Sequence, residues 1–248
     1  MNLLAIDAGN SRIKWGLADT QGWVRCGVVD TAAAATLPKA FGNLPPLDRV
    51  VASNVAGAAV REAIDNIAPQ CLWVSGRAAQ CGVRNGYADP TQLGADRWAA
   101  LIGAWKISGA ATVVVNAGTT MTVDALSHEG VFLGGMIVPG MDLMRASLDR
   151  GTAQLRLQPG GFHYFPDNTA DAIMSGAVNA LTGAIDRMRG YLAETVAETG
   201  PVAPFTLISG GAAPLLLPCL RESAALGRIE YVENLVLDGL LEIARDSG

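Results

Sequence analysis

The first apolar positions, Leu3-Leu4-Ala5-Ile6, form an unbroken run that stops at Asp7-Ala8-Gly9-Asn10-Ser11. A short continuous apolar run closed by a glycine turn predicts a buried strand. An alternating segment from Ile13 to Ala18, a polar turn at Asp19-Thr20-Gln21-Gly22 and a third run from Val24 to Val29 complete a three-strand meander. The succession then repeats. Thr112 to Thr120 echoes Leu3 to Ser11 and leads into alternation from Met121 to Leu126, the turn Ser127-His128-Glu129-Gly130 and an apolar run from Val131 to Val138. An echo that persists through strand, turn, hairpin and third strand marks a duplicated unit.

Helical periods follow each meander. Val55 to Ile67 and Arg97 to Ile107 come after the first, and in the latter Trp98, Leu101, Ile102 and Trp105 recur at i, i+3, i+4 and i+7. After the second, Pro139-Gly140 precedes a short helix from Met141 to Leu148. Asn168 or Thr169 caps a long helix running to about Glu198, with Ile173, Ala177, Leu181, Ile185, Met188 and Leu192 on one stripe. Gly176 and Gly183 permit close approach of another helix, inside the fold or across a dimer. Phe205 to Ile208 and Arg228 to Val232 read as late strands, and Leu235 to Arg245 as a closing helix. The pattern predicts an α/β protein of two duplicated lobes with a central cleft, residues 1–110 and 111–248.

Composition removes several classes of function. The 248 residues carry 18 Lys and Arg against 23 Asp and Glu, a formal charge of −5, with no basic cluster. That balance leaves no footprint for nucleic acid or for an anionic membrane surface. Cys26, Cys71, Cys81 and Cys219 are scattered and form no C-x-x-C pair, which argues against zinc and disulfides and fits a reducing cytoplasm. His128 and His163 are too few for a multi-histidine metal site. No signal-peptide pattern opens the sequence, and the uncharged stretch from Pro201 to Leu220 is broken by Pro204, Pro214, Pro218 and Gly210-Gly211, so it cannot be a membrane helix.

The candidate chemistry sits at the repeated turn. In Asp7-Ala8-Gly9-Asn10-Ser11-Arg12-Ile13-Lys14 a buried strand ends at a carboxylate, Gly9 allows backbone approach, and the next strand supplies a hydroxyl and a lysine. These are the parts of a phosphate grip: N–H groups and Ser11 donate to phosphate oxygens, Lys14 adds charge, and Asp7 can hold Mg²⁺ directly or through water. No Walker A loop and no G-x-G-x-x-G opening a βαβ unit occurs. Paired glycine-hydroxyl turns on a duplicated α/β chain instead resemble the acetate and sugar kinase, Hsp70 and actin superfamily, which implies two RNase H-like lobes.

The resemblance narrows at Asn85-Gly86-Tyr87-Ala88-Asp89-Pro90-Thr91-Gln92-Leu93-Gly94-Ala95-Asp96-Arg97-Trp98, which is similar to the substrate motif of type III pantothenate kinases. Gly134-Gly135-Met136-Ile137-Val138-Pro139-Gly140 resembles a second signature of that family, and Gly151-Thr152-Ala153 and Asn168-Thr169 are further landmarks in order. The resemblance implies ATP-dependent phosphorylation of the primary hydroxyl of pantothenate, the first step towards coenzyme A, by a cytoplasmic homodimer. It implies that Asp7, Ala8, Gly9, Asn10, Ser11, Arg12, Ile13 and Lys14 form the first phosphate loop and that Thr119 faces ATP from the second. It further implies that Tyr87, Gly94, Ala95, Asp96, Arg97 and Thr169 bind pantothenate, with Asp96 as proton acceptor, and that Ser209-Gly210-Gly211 is a nucleotide-side turn.

Read on its own, Asp96 is an N-cap for the helix expected from Arg97. Next to Arg97, which can take a carboxylate bidentately, it also suits a base beside an acidic substrate. Two positions depart from the family pattern. Ser11 stands where Thr is usual. Asn116 stands where the family has an Asp associated with a monovalent cation, so binding of K⁺ or NH₄⁺ is expected to be weak or absent. Rival readings are a non-catalytic regulatory or accessory protein that binds nucleotide or pantothenate, and a kinase of the same superfamily with another acceptor.

Overall fold

The computed structural model describes residues 1–152, 155, 158–197, 203–222 and 227–246. Ala153 of the Gly151-Thr152-Ala153 landmark, the helix end expected at Glu198, and Pro201 lie outside the described residues. The first meander is β1 (Leu3–Ala8), β2 (Arg12–Ala18) and β3 (Trp23–Asp30), followed by α1 (Leu37–Phe41), β4 (Arg49–Asn54), α2 (Ala58–Asp65), β5 (Leu72–Trp73), β6 (Ala79–Gln80), β7 (Val83–Asn85) and α3 (Ala95–Ser108). The second is β8 (Thr112–Ala117), β9 (Thr120–Leu126) and β10 (Val131–Pro139), followed by α4 (Met141–Gly151), α5 (Thr169–Ala197), β11 (Phe205–Ser209), α6 (Ala213–Glu222), β12 (Ile229–Tyr231) and α7 (Leu235–Asp246). Two compact units result: residues 1–109 with 130–132 and 234–248, and residues 110–129 with 133–233.

In the first unit the strands lie in the order β3-β2-β1-β4-β5, antiparallel through the meander and parallel from β1 to β5. The Asp19 carboxylate accepts the N–H groups of Gln21 and Gly22 at 2.7 and 3.2 Å, which closes the turn between β2 and β3, and Gly22 supplies its positive φ. Leu4, Ile6, Ile13, Trp15, Leu37, Ala52, Val60 and Ile64 form the core. In the second unit the order is β10-β9-β8-β11-β12, again antiparallel within the hairpin β8–β9 and parallel from β8 to β12. One topology thus occurs twice, as the sequence echo predicts.

Two expectations change on contact with the structure, and one that left two caps open is narrowed to the first of them. The helix expected from Val55 begins at Ala58, because the Asn54 side chain accepts the Ala56 N–H at 2.8 Å and donates to the Gly57 carbonyl at 2.9 Å, holding a turn ahead of it. The closing helix α7 sits by position in the second lobe, yet it packs in the first unit against α3. Glycines make that crossing possible: a Cβ on Gly103 would lie 2.6 Å from the Leu235 carbonyl oxygen, and one on Gly239 would overlap the Ala99 carbonyl. Finally, Asn168 rather than Thr169 caps α5, its side-chain oxygen taking the Asp171 N–H at 3.0 Å.

The stripe of α5 packs inside its own unit, where Ala177, Leu181, Ile185, Met188 and Leu192 join Val113, Val115, Met121 and Val123 in the core. Gly176 and Gly183 are exposed, and an added Cβ at either meets nothing within 4 Å, so no described helix of the chain packs on them. Among the described residues no helix is long and apolar enough to cross a membrane.

Candidate active site

Register builds the first part of the site. Asp7, the penultimate residue of β1, lies directly opposite Lys14 on β2 and Ser53 on β4, and directly opposed residues share a sheet face. A carboxylate therefore stands between an ammonium and a hydroxyl. Ser53 is fully buried, and its Oγ–H donates to Asp7 Oδ1 at 2.9 Å. Burial first, and then the charge of Asp96, push the Asp7 carboxyl up from 3.8 to about 6, against the Ser53 hydrogen bond and the Lys14 charge.

Beyond Asp7 the chain turns sharply, with the Gly9 N–H donating to the Arg12 carbonyl at 3.1 Å. Thr31 pins the turn: its hydroxyl donates to the Gly9 carbonyl at 2.7 Å and its N–H to the Ser11 carbonyl at 3.0 Å. Asn10, Ser11 and Arg12 are exposed at the tip, whereas the Ala8 and Ile13 side chains are buried in the core. Ala8 and Ile13 can thus reach a phosphate only through their backbone.

The second part is the start of α3. The helix begins at Ala95 with Gly94 as its N-cap, so Asp96 belongs to the first turn and is not the cap that its sequence position suggests. Asp96 Oδ1 accepts the Arg97 backbone N–H at 2.8 Å. Burial raises its pKa, opposed by that N–H and by the Arg97 guanidinium. Gly94 leaves room for this carboxylate, since a Cβ there would lie 2.7 Å from Asp96 Oδ1.

Arg97 is only 6% exposed. Its guanidinium lies 5.9 Å from the Tyr87 ring centre and 5.7 Å from that of Phe132, and Nη1 donates to the Tyr87 hydroxyl at 3.3 Å. The two rings are 5.0 Å apart. Tyr87 is held from below by Asn85, whose side chain accepts the Tyr87 N–H at 3.0 Å and donates to the Pro90 carbonyl at 3.3 Å. Tyr87, Gly94, Ala95, Asp96 and Arg97 are therefore brought together in the unit that holds Asp7 and Lys14.

The second unit repeats the design with a different charge. Asn116 is the penultimate residue of β8 and lies opposite Thr122 on β9 and Ser209 on β11, the counterpart of the Lys14, Asp7 and Ser53 row with neutral side chains throughout. Thr119 is exposed in the following turn, and two signatures converge there. The Gly140 N–H donates to the Thr119 carbonyl at 3.0 Å, and Gly210, at φ 101°, sits where a Cβ would be 2.5 Å from the Ala117 carbonyl oxygen. Thr169 is the first residue of α5, exposed, in this unit and not in the unit of Tyr87 and Arg97.

Two contributors escape a reading of the sequence. Ser53 follows the apolar run Val50-Val51-Ala52 much as Asp7 follows Leu3 to Ile6, a faint signal of a polar strand end. Phe132 gives none, because its place depends on β10 pairing with β7, where it lies opposite Asn85.

A strand order that occurs twice, each first strand ending at a glycine turn, with an acidic side chain flanked by a cation and a half-buried Asp96 beside a buried Arg97, is the arrangement of the actin and Hsp70-like kinase fold. Residues 3–190 match the family model for type III pantothenate kinases. The type III pantothenate kinase of Nitrosospira multiformis is 45% identical over 249 residues, covering 99% of this chain and 92% of that protein. A Campylobacter jejuni protein proposed to be a Baf family transcriptional activator superposes with a TM-score of 0.64 at 20% identity, covering 98% of both chains. A ROK family glucokinase from Streptomyces griseus, solved with glucose and AMPPNP, gives a TM-score of 0.53 at 12% identity, over 99% of this chain and 98% of that one. At such identities the two structures speak for the fold alone. The chain belongs to the type III pantothenate kinase family.

Proposed function

We propose that Asp96 is the proton acceptor and Arg97 the carboxylate clamp of the reaction that belongs to this family. That reaction is ATP-dependent phosphorylation of pantothenate at the start of coenzyme A biosynthesis. The observation that carries the assignment is the half-buried Asp96 beside the buried Arg97 at the start of α3, with Asp96 near enough to Asp7 for its charge to raise the Asp7 pKa. Pantothenate brings a carboxylate and a primary alcohol. A planar guanidinium seated beside two packed rings suits the first, and a carboxylate with a raised pKa suits the proton of the second.

The transition state of phosphoryl transfer is loose, so positioning and charge do most of the catalysis. Lys14, the N–H groups of Gly9 to Ser11 and the Ser11 hydroxyl orient the ATP phosphates, and Thr119 offers the same kind of donor from the second turn. Asp96 receives the proton as the alcohol oxygen attacks the γ-phosphorus and ADP leaves. Among the described residues no cluster of three or more acidic, His or Cys side chains could cage a metal. A single carboxylate crowded by the charge of a second fits Mg²⁺, which keeps much of its water and takes the rest of its ligands from substrate phosphates. Asp7 would hold it, and the ion supplies neutralising charge at the phosphates.

The neutral row around Asn116 supports weak or absent dependence on K⁺ or NH₄⁺. The exposed Gly176 and Gly183 face of α5 supports a homodimer, and the charge balance and scattered cysteines support a cytoplasmic location. The test of function is incubation of the purified protein with ATP, Mg²⁺ and either pantothenate or a panel of sugars and acetate. Phosphorylation of pantothenate alone is expected. Turnover of another acceptor only, or of none, would overturn the reading in favour of a different kinase or a binding protein.

A further inference from the structure

The aromatic seat of Arg97 has a half that no motif supplies. Phe132 is fully buried, its ring packs on Tyr87 at 5.0 Å, and its centre lies 5.7 Å from the Arg97 guanidinium carbon. Its backbone is tied to the same segment: it pairs with Asn85, and its carbonyl accepts the Gly86 N–H at 2.9 Å. A guanidinium has several rotamers open to it, and an arginine that must meet a planar carboxylate edge-on needs its plane fixed before the substrate arrives. Tyr87 contacts it from one ring and one hydroxyl, and Phe132 supplies the second ring.

We infer that Phe132 is a positioning residue that fixes the Arg97 guanidinium against Tyr87 and thereby sets the preference of the enzyme for an acceptor bearing a carboxylate. This rests on the clamp reading of Arg97 given above. Phe132 has no polar group and touches no reacting atom, so its effect is confined to the carboxylate end of the substrate. The alcohol end, governed by Asp96, is left as it is.

The experiment compares kcat/KM for pantothenate and for pantothenol, in which CH₂OH replaces the carboxylate, in the natural protein, Phe132→Leu and Arg97→Ala, with Tm recorded for each. Removing a desolvated cation–π partner is expected to lower kcat/KM for pantothenate about tenfold, through KM, in Phe132→Leu. The value for pantothenol should change less than twofold, so the preference collapses. Equal losses on both substrates, as a purely structural role would give, overturn the inference, and so does no loss on either. Arg97→Ala separates the two layers: if it abolishes the preference while Phe132→Leu keeps it, only the role of Phe132 falls, and if it keeps the preference, the clamp reading falls as well. Phe132→Met replaces Phe132→Leu should the latter fail to fold.

Discussion

Keeping Asp7 ionised in its buried row costs folding stability. Its carboxyl titrates near 6 in the folded protein and near 3.8 in an unfolded one, so between those values the folded state binds the extra proton. Stability therefore falls as pH rises from about 3.8 to about 6 and stays on the lower plateau above that. Asn at this position can still accept the Ser53 hydroxyl and carries no charge. Asp7→Asn should be more stable than the natural protein at pH 7.5, by about 3 kcal/mol on the scale of 1.36 kcal/mol per pKa unit, while losing Mg²⁺-dependent phosphorylation. Urea unfolding at pH 7.5 checks this, and a less stable Asp7→Asn would refute it. Asn116 presents the reverse case. A unit charge about 4 Å from a monovalent cation is worth on the order of 4 kcal/mol at an effective dielectric near 20, before desolvation of the carboxylate offsets much of it. The natural protein should respond little to KCl compared with a large-cation salt at equal ionic strength, and Asn116→Asp should respond more. Strong K⁺ activation that is unchanged in Asn116→Asp would contradict the assignment.

At the level of elements, α3 links chemistry to scaffold: its first turn carries Asp96 and Arg97, and its middle is locked to α7 at Gly103 and Gly239. Gly239→Ala places a methyl group against the Ala99 carbonyl. Overpacking of this kind costs typically 1 to 3 kcal/mol, more than the roughly 1 kcal/mol that Ala returns in helix propensity. The variant should melt several degrees below the natural protein, and an unchanged or higher Tm would show that the helices can part without cost. The meanders and α3 were legible in the sequence because alternation and a 3.6-residue period are local signals, and the glycine turns because they repeat. The strand β4, its Ser53, and the short strands β5 to β7 were not, because their few residues become strands only by pairing with partners distant in the chain. The home of α7 was equally hidden, since an apolar stripe says that a helix packs but not on what. Asp96 was found by motif, and its position inside the first turn needed the cap geometry of Gly94.

For the whole molecule, the exposed face of α5 that holds Gly176 and Gly183 predicts self-association. Sedimentation at micromolar concentration should give twice the chain mass of 25.7 kDa, and Gly183→Trp should shift it towards monomer. A natural protein that sediments as a monomer would reject the dimer. The first unit holds the charged row of Lys14, Asp7 and Ser53 together with Asp96 and Arg97, and the second holds the neutral row around Asn116, so the proposed proton transfer rests on one carboxylate, Asp96. The most direct test is steady-state phosphorylation of pantothenate by the natural protein and by Asp96→Asn, with Tm measured on both. The amide keeps the side-chain oxygen that accepts the Arg97 N–H and removes a charge that burial disfavours, so the fold should be kept and Tm should not fall, while kcat should fall by about 10² to 10⁴ for want of a proton acceptor. Turnover near the natural rate in a correctly folded Asp96→Asn protein would contradict the account.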